Sequence, residues 1–473
     1  MSEKIYDVII IGAGISGLMA AYNLSTNSGL SIAIIDKGNL ITDRKCPSAI
    51  NNISCVHCKT CNITCGYSGA GAFSDGKYNI GTSYGGTLSE EIGEDEALKY
   101  IKKADKIISS FCDTEIHEFK ENKDLCLKCL QNNLQLLSMR VKHYGTDNNF
   151  KNMSMLINNI FDKSNVDYFY GVDVFDITIP DDYDNCYAII ANNVFSKQRE
   201  FYGKKIILAT GRNGANFIQR ICKKFNVSVK SNAVDLGVRV EMKDIIWQEF
   251  STQIYEPKII YKTKTFEDKT RMFCFNKGGV VSAENNNGIV TVNGHSYNGF
   301  DKRTDNCNFA ILSSINFTEP FNDPTTYAES FSKMANLIGN GNVIVQRFGD
   351  LIRGRRTNEH RLSQNTVKPT LKATAGDLSL VLPHRILTNI IETIYALDKV
   401  APGTANDDTL LYGIESKYYS IKPCHNDEFM IYDNIYLIGD GSGIARGLSQ
   451  SAAMGLYVSD KILELFIKNG FSI

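Results

Sequence analysis

Residues 8–11, VIII, form an apolar run with no polar break, the pattern of a parallel strand buried on both faces. Residues 18–24 follow with apolar and small side chains suited to a helix packed on a sheet, and 31–35 read as a second strand. From residue 89 to about 163 the pattern turns helical. Ala97, Tyr100, Ile101, Ala104, Ile107 and Ile108 share one face, and 125–141 is similar until KHYGTD at 142–147 breaks it. Strand patterns resume at 166–179, 187–191 and 204–208. From 234 to about 382, strand-like runs such as GVRVEM, GGVVS and GIVTVNG alternate with polar loops, which reads as an inserted mixed or antiparallel sheet domain. The opening pattern then returns: 434–461 are a strand, an acid, a glycine turn and a small-residue helix.

The first strand and helix are joined by Gly12, Gly14 and Gly17 in GxGxxG spacing. Gly12 allows the tight turn, Gly14 lets the backbone approach a pyrophosphate, and Gly17 lets helix and strand lie close. The helix N-terminus then offers free N–H groups and a partial positive charge to the phosphates. Asp36 ends the second strand, where a carboxylate would accept from a ribose hydroxyl. This unit predicts a dinucleotide site; the plainer alternative is a glycine-rich turn in an ordinary βαβ unit. The strand at 204–208 runs into Ala209, Thr210 and Gly211, a second contact surface for a dinucleotide lying across strand ends. Near the C-terminus the strand brings Asp440 to its carboxyl end, where a ribityl hydroxyl could be gripped. An NAD site needs no such returning segment, so the two ends together point to FAD.

Length and charge narrow the picture. At 473 residues the chain has room for two to four domains, and a net charge of −1 argues against nucleic acid or an anionic membrane as a bulk partner. The expected division is 1–90 and 166–233 as flavin-binding parts, the first with a Cys-rich loop, 91–165 as a helical segment, 234–385 as the substrate domain, and 386–473 as the return into the flavin domain. No apolar run reaches the roughly 18 residues of a membrane span. The first strand leaves no room for an export signal upstream, and thirteen cysteines without one argue for a reducing, cytoplasmic setting.

Taken together, GxGxxG with Asp36, the ATG at 209–211 and GDGSG at 439–443 resemble the glutathione-reductase-like FAD flavoproteins. More narrowly, the chain is similar to a bacterial family of uncharacterised FAD-dependent dehydrogenases. RKCP at 44–47, CVHCKTC at 55–61, GAGAFSDGK at 69–77, DLGVRVE at 235–241, MFCFNKGG at 272–279 and ESKYYS at 415–420 carry the match. Lys277 stands where that family's pattern has Pro, and Ser442 where Ala is usual. The resemblance implies an α/β fold, a Rossmann-type FAD-binding domain with an inserted mixed α+β substrate domain, and hydride exchange at flavin N5. It also implies cofactor contacts at Ile15, Ser16, Lys37, Gly69, Ala70, Gly71, Ala72, Ser74, Asp75, Val174, Gly439, Gly447, Leu448, Gln450 and Ser451.

Cys55, Cys58, Cys61 and Cys65 have the C-x2-C-x2-C-x3-C spacing of bacterial ferredoxins, with Cys46, Cys126 or Cys129 as a more distant ligand. Thiolates suit a [4Fe-4S] cluster and tetrahedral Zn alike, and free thiols or a redox disulfide stay open beside them. A cluster here would relay electrons to or from the flavin.

Flavin oxidation of a C–H bond needs a base, and the reverse reaction an acid. His295 lies in the loop-like VNGHSYNG of the inserted domain, although a lone loop histidine is more often a surface residue. Glu415 and Lys417 are near neighbours in ESKYYS, and a structural or gating pair comes before a catalytic one. RGRRTNEHR at 353–361 is the densest positive run; a solvated loop is its default, and a site for a substrate carboxylate or phosphate the sharper alternative. The reading is therefore an FAD-dependent oxidoreductase acting on a small organic substrate, an anionic one where the arginine run takes part in binding. With no second complete GxGxxG unit, electrons come from NAD(P)H in transient contact, a ferredoxin-like carrier or the substrate itself. The alternatives are a flavin-dependent RNA-modifying enzyme and a non-catalytic FAD-binding redox sensor.

Overall fold

A computed structural model of the chain describes residues 4–468 apart from 48–49, 51–55, 57, 75, 113–116, 121, 138–139, 183–184, 194–196, 231–233, 255, 287, 297–302, 316–323 and 419–420. It divides into two compact units: the first comprises 1–117, 141–230 and 420–473, the second 118–140 and 231–419.

Unit 1 is a doubly covered α/β sheet. Its strands run Met430–Tyr432, Ile435–Leu437, Gln198–Leu208, Ile5–Ile11, Ile32–Ile35, Val166–Phe169 across the sheet, and all neighbours from Ile435–Leu437 onward are parallel. The opening strand is therefore central, which is why 8–11 carry no polar residue. One face packs on helices Ile15–Asn27, Glu94–Ser110, Thr146–Phe161 and Leu448–Lys468 through a shared apolar core. The other is covered by helix Ala215–Lys224 and an antiparallel meander, Val172–Thr178 and Tyr187–Asn193. The first and last helices of the chain lie against each other because glycine makes room. A Cβ on Gly455 would overlap the Ser16 carbonyl, and one on Gly17 the Gly12 carbonyl.

Unit 2 is built on a second eight-stranded, mainly antiparallel sheet whose middle strands are Leu410–Tyr418, Val234–Lys243, Asn306–Ile315 and Lys269–Asn276. Val234, Leu236, Val238, Val240 and Met242 join the apolar core with helix His384–Asp398 and the Trp247 aromatic cluster. The alternate positions, Asp235, Gly237, Arg239 and Glu241, are buried as well, so this strand hides a row of charges on its other face.

Local turn chemistry alters three expected boundaries. The helix expected over 125–141 ends at Leu130. There Asn133 takes a left-handed conformation (φ 59°), and Leu134–Leu137 alternates between buried and exposed as an edge strand of unit 2. The strand expected over 166–179 is split by Gly171 at φ 63°. The chain re-enters unit 1 at 420 rather than 386, because the amphipathic helix His384–Asp398 and strand Leu410–Tyr418 bury their apolar residues in unit 2. Among the described residues no helix is long and apolar enough to cross a membrane.

Candidate flavin site

The site in unit 1 begins at the carboxyl end of the central strand. Gly12 takes φ +104°, its N–H donates to the Ile35 carbonyl at 2.8 Å, and a Cβ on it would overlap the Ala209 carbonyl. Gly14, which caps the opening helix, has nothing within 4 Å of the position a Cβ would take. The two glycines thus answer different demands: Gly12 packs against the next strand, whereas Gly14 leaves an open cradle over the helix end. Ile15, Ser16 and Gly17 form the first turn of a helix that has neither a side-chain cap nor an acid there, so its positive end is uncompensated.

Asp36 is held close to that turn. Its Oδ2 accepts from the Ala13 N–H and its Oδ1 from the Gly38 N–H, both at 2.8 Å. The carboxylate therefore braces the glycine loop first, and each oxygen keeps a further lone pair for a ribose hydroxyl. Lys37 follows half-buried in the bend.

A loop from the cysteine-rich stretch closes over the cradle. Ser68 donates its N–H to the Ala13 carbonyl at 2.7 Å, forms a parallel bridge with Gly14, and sits in the left-handed region at φ 72°. Its buried hydroxyl has no hydrogen-bond partner among the described residues. Gly69, Ala70, Gly71 and Ala72 continue as a 3-10 turn, and the Gly71 carbonyl accepts from Ser74 Oγ at 2.9 Å and Asn149 Nδ2 at 2.8 Å. Asp75 lies outside the described residues. Arg44 pins the loop from beneath: its buried guanidinium donates to the carbonyls of Asn62, Ile63 and Tyr67. Burial pulls its pKa down to about 10, against the raising effect of Asp36 and of Cys65 and Cys61 nearby.

The remaining walls come from the middle and end of the chain. Ala209 and Thr210 end the strand Gln198–Leu208, and Gly211 at φ +59° has open space over its Cβ position. Thr210 Oγ1 is buried without a hydrogen-bond partner among the described residues. Gly439 lies directly against Ser16, which puts Asp440 next to the opening helix turn, where it accepts from Arg212 Nε at 2.9 Å. Gly447 and Leu448 open the closing helix, with the Leu448 side chain against Gly71. The Gly447 carbonyl accepts from the Ser451 N–H. The Gln450 amide is engaged at both ends, with the Tyr84 carbonyl and the Leu88 N–H at 3.2 Å each, so it ties 84–88 to this helix. Val174 lies in the meander two residues past Val172, whose N–H donates to the Asp36 carbonyl.

These features fit FAD. Two buried hydroxyls await partners, two glycines leave their Cβ positions open, and an uncompensated helix N-terminus faces the same loop cluster. Ser68, beside Gly14, and Asn213, whose Nδ2 donates to Thr64 Oγ1 at 2.9 Å in the loop leading to Ser68, are positions that sequence reasoning did not single out. The first stands between Gly66 and Gly69 in a glycine-dense stretch, and the second follows ATG-Arg, so both lay beside recognised motifs.

The cysteines are placed differently from a ligand set. Cys65 is buried, and its Sγ accepts from Asn213 Nδ2 at 3.2 Å; Cys61 is one turn before it; Cys58 is exposed and Cys46 half-buried. Cys55 lies outside the described residues. Among the described residues no three His, Cys, Asp or Glu side chains converge as a metal site; of the expected Cys55, Cys58, Cys61 and Cys65, with Cys46, Cys126 or Cys129 more distant, the first is not among those residues. Side chains along one short loop point where their own backbone turns send them, and here Cys65 turns inward to an amide.

In unit 2, Glu415 is fully buried. Both its oxygens lie 3.3 Å from Arg239 Nη1, and Lys417 Nζ is 3.4 Å from Oε1. Burial would lower the pKa of Arg239, but Cys274 and Glu415 beside it raise it. Glu241 accepts from Thr370 Oγ1, Tyr412 OH and Asn306 Nδ2, and burial outweighs those bonds to push its carboxyl up. His295 ends the hairpin strand Ile289–His295, paired with Val280 and half-buried. Part of the arginine run is ion-paired in place. Arg355 and Arg361 lie 2.7 and 3.9 Å from the buried Asp350, and Arg353 lies 2.7 Å from Asp407.

A GxGxxG turn on a parallel sheet, an acid closing the second strand and a C-terminal segment returning to the same helix end define an FAD-dependent oxidoreductase. The family comparisons agree. Residues 7–44 match the FAD dependent oxidoreductase family, and 233–418 match the family described as FAD-dependent protein, C-terminal domain-like. No curated protein matches the chain. Solved structures similar to it include a flavoprotein/dehydrogenase from Cytophaga hutchinsonii (12% identity, 99% of this chain and 80% of that one, TM-score 0.39). Two others are an L-proline dehydrogenase from P. horikoshii (10%, 99% and 95%, 0.45) and a glycerol-3-phosphate dehydrogenase from Bacillus halodurans complexed with FAD (11%, 99% and 66%, 0.43). Likeness this low says nothing about substrate.

Proposed function

We propose that the chain exchanges hydride between FAD N5 and a small organic substrate, with FAD held by unit 1 and substrate recognition assigned to unit 2. The observation that carries the reading is the open position over Gly14, at the end of a helix whose first turn is contacted by both ends of the chain. When bound, FAD supplies the two-electron acceptor or donor. Ile15 to Gly17 would face its diphosphate with N–H groups, Ser68 and Thr210 would donate hydroxyls, and Asp36 and Asp440 would accept from its ribose and ribityl hydroxyls. A relay through a cysteine-held metal has no support among the described residues. Arg353 and Arg355 of the arginine run are held by Asp407 and Asp350, which leaves less of it for an RNA backbone.

The test is anaerobic reduction of the purified, FAD-loaded protein by a panel of hydroxy acids, amino acids and NAD(P)H, followed by loss of flavin absorbance. Bleaching by a C–H donor, slowed when the transferred hydrogen is replaced by deuterium, is expected. A folded protein that is colourless and refuses added FAD overturns the reading, and one that binds FAD but accepts hydride from no donor leaves the redox-sensor alternative standing instead.

A further inference from the structure

The turn that covers the opening helix is held by a residue outside every flavin motif. Asn149 lies near the start of helix Thr146–Phe161 and is buried, with 1% of its surface exposed. Its Nδ2 donates to the Gly71 carbonyl at 2.8 Å and lies 3.5 Å from Ser74 Oγ. Its Oδ1 accepts from the hydroxyl of the buried Tyr78 at 3.1 Å. Both ends of one amide are engaged, which fixes its orientation. Gly76 lies directly against it: at φ +66°, a Cβ there would overlap Asn149 Cβ. The Gly76 carbonyl accepts from the Tyr144 N–H at 3.1 Å, so the chain is gripped a second time just before the helix.

What Asn149 holds is the turn that rests on Gly14. A Cβ on Gly69 would stand 3.1 Å from Gly14 Cα, and one on Gly71 would stand 2.9 Å from the Leu448 side chain at the start of the closing helix. The peptide group is planar and trans, so a carbonyl fixed at Gly71 also fixes the Ala72 N–H, which points the opposite way. Arg44 holds the approach to this turn through the carbonyls of Asn62, Ile63 and Tyr67. Asn149 holds its exit.

We propose that Asn149 is a positioning residue for the flavin: through the Gly71 carbonyl it keeps Gly69 to Ala72 seated on Gly14 in the conformation that meets FAD. The assignment rests on the flavin reading of unit 1 and adds to it a residue that touches no cofactor atom. A turn already seated costs FAD nothing to order. Without Asn149 that ordering is charged to binding, and affinity falls accordingly.

The experiment measures FAD affinity of the full-length parent, Asn149→Leu and Asn149→Asp from about pH 8 down to about pH 5, beside melts of the apo-proteins. Asn149→Leu keeps the volume without either hydrogen bond and is expected to bind FAD about tenfold more weakly at every pH. In Asn149→Asp an ionised carboxylate faces the Gly71 carbonyl, whereas the protonated acid donates to it and still accepts from Tyr78. Burial raises that carboxyl above its ordinary value of about 4, so an affinity about tenfold below the parent's at pH 8 returns toward it as pH falls. A side chain that serves only the fold lowers the melting temperature and leaves the affinity of the folded protein unchanged. If Asn149→Leu fails to fold, Tyr78→Phe, which deletes only the bond that orients the amide, is read instead and should weaken binding about threefold. Equal affinity of the parent and the folded variant overturns the assignment and leaves the flavin reading in place, and so does a deficit in Asn149→Asp that does not shrink with falling pH. A parent that takes up no FAD overturns both.

Discussion

Gly439 rests on Ser16: its φ of +73° turns the backbone so that a Cβ would overlap the serine hydroxyl, while Gly455 presses on the same residue's carbonyl. The last strand–helix crossover is thereby docked on the first helix, and Asp440 is delivered to the end of that helix as a consequence. In Gly439→Val the backbone at φ +73° and ψ −159°, a region open essentially to glycine alone, costs roughly 1–3 kcal/mol before the overlap is counted. The expected outcome is a protein purified with most of its flavin lost, read from the ratio of flavin to protein absorbance. Full occupancy would show that the docking is not needed for binding.

Gly12 and Gly14 should behave oppositely although they belong to one motif. Gly14→Ala meets nothing in the folded chain, so its apo-protein melts like the parent. Its FAD affinity falls about tenfold or more, equivalent to about 1.4 kcal/mol. Gly12→Ala forces a methyl into the Ala209 carbonyl and loses roughly 1–3 kcal/mol of fold stability. Thermal melts of apo-protein beside FAD titrations separate the two effects.

The buried Arg239–Glu415 pair predicts an asymmetric double-mutant cycle. Glu415→Ala removes the carboxylate facing a fully buried guanidinium and costs about 3–5 kcal/mol in urea unfolding. Adding Arg239→Met recovers part of that loss, since no guanidinium is then buried without its carboxylate. If the second substitution only adds damage, the pair is worth more than its burial cost.

Asp350 sets part of the acid limit of stability. Burial acts to raise its pKa, but hydrogen bonds from Arg355 and Thr357 and the charges of Arg347 and Arg355 outweigh it, so the folded value lies below the ordinary carboxylate range. The stabilisation is therefore complete above the unfolded value of about 4 and is lost as pH falls through it toward the folded value. Asp350→Asn should melt lower than the parent from neutrality down to about pH 4, with the gap closing as pH falls below that. A gap constant across that range would refute the assignment.

The opening βαβ unit was legible because its demands are local. A buried strand, three glycines and a closing acid act within about 30 residues, and each residue type answers a constraint of its own turn or helix end. The return of the chain at Asp440 was legible for the same reason, through the repeat of that pattern. Boundaries were less so. The helix expected past Leu130 is ended by a left-handed Asn133, and the charged row Asp235, Arg239, Glu241 reads in sequence as the solvent face of a strand.

What the sequence determined by itself was the Rossmann-type architecture: where the parallel strands lie, which glycine leaves its Cβ position open, and that the last strand–helix crossover meets the opening helix. Only the tertiary structure decided which side chains are already engaged. It set Ser68 beside Gly14, brought Asn213 to Cys65, closed Glu415 on Arg239, and paired Arg355 and Arg353 with Asp350 and Asp407. The reason is that a backbone's conformational needs are met by neighbours in sequence. The partner of a charge or a thiol is chosen by packing across hundreds of residues, and only burial reveals whether it is free to act.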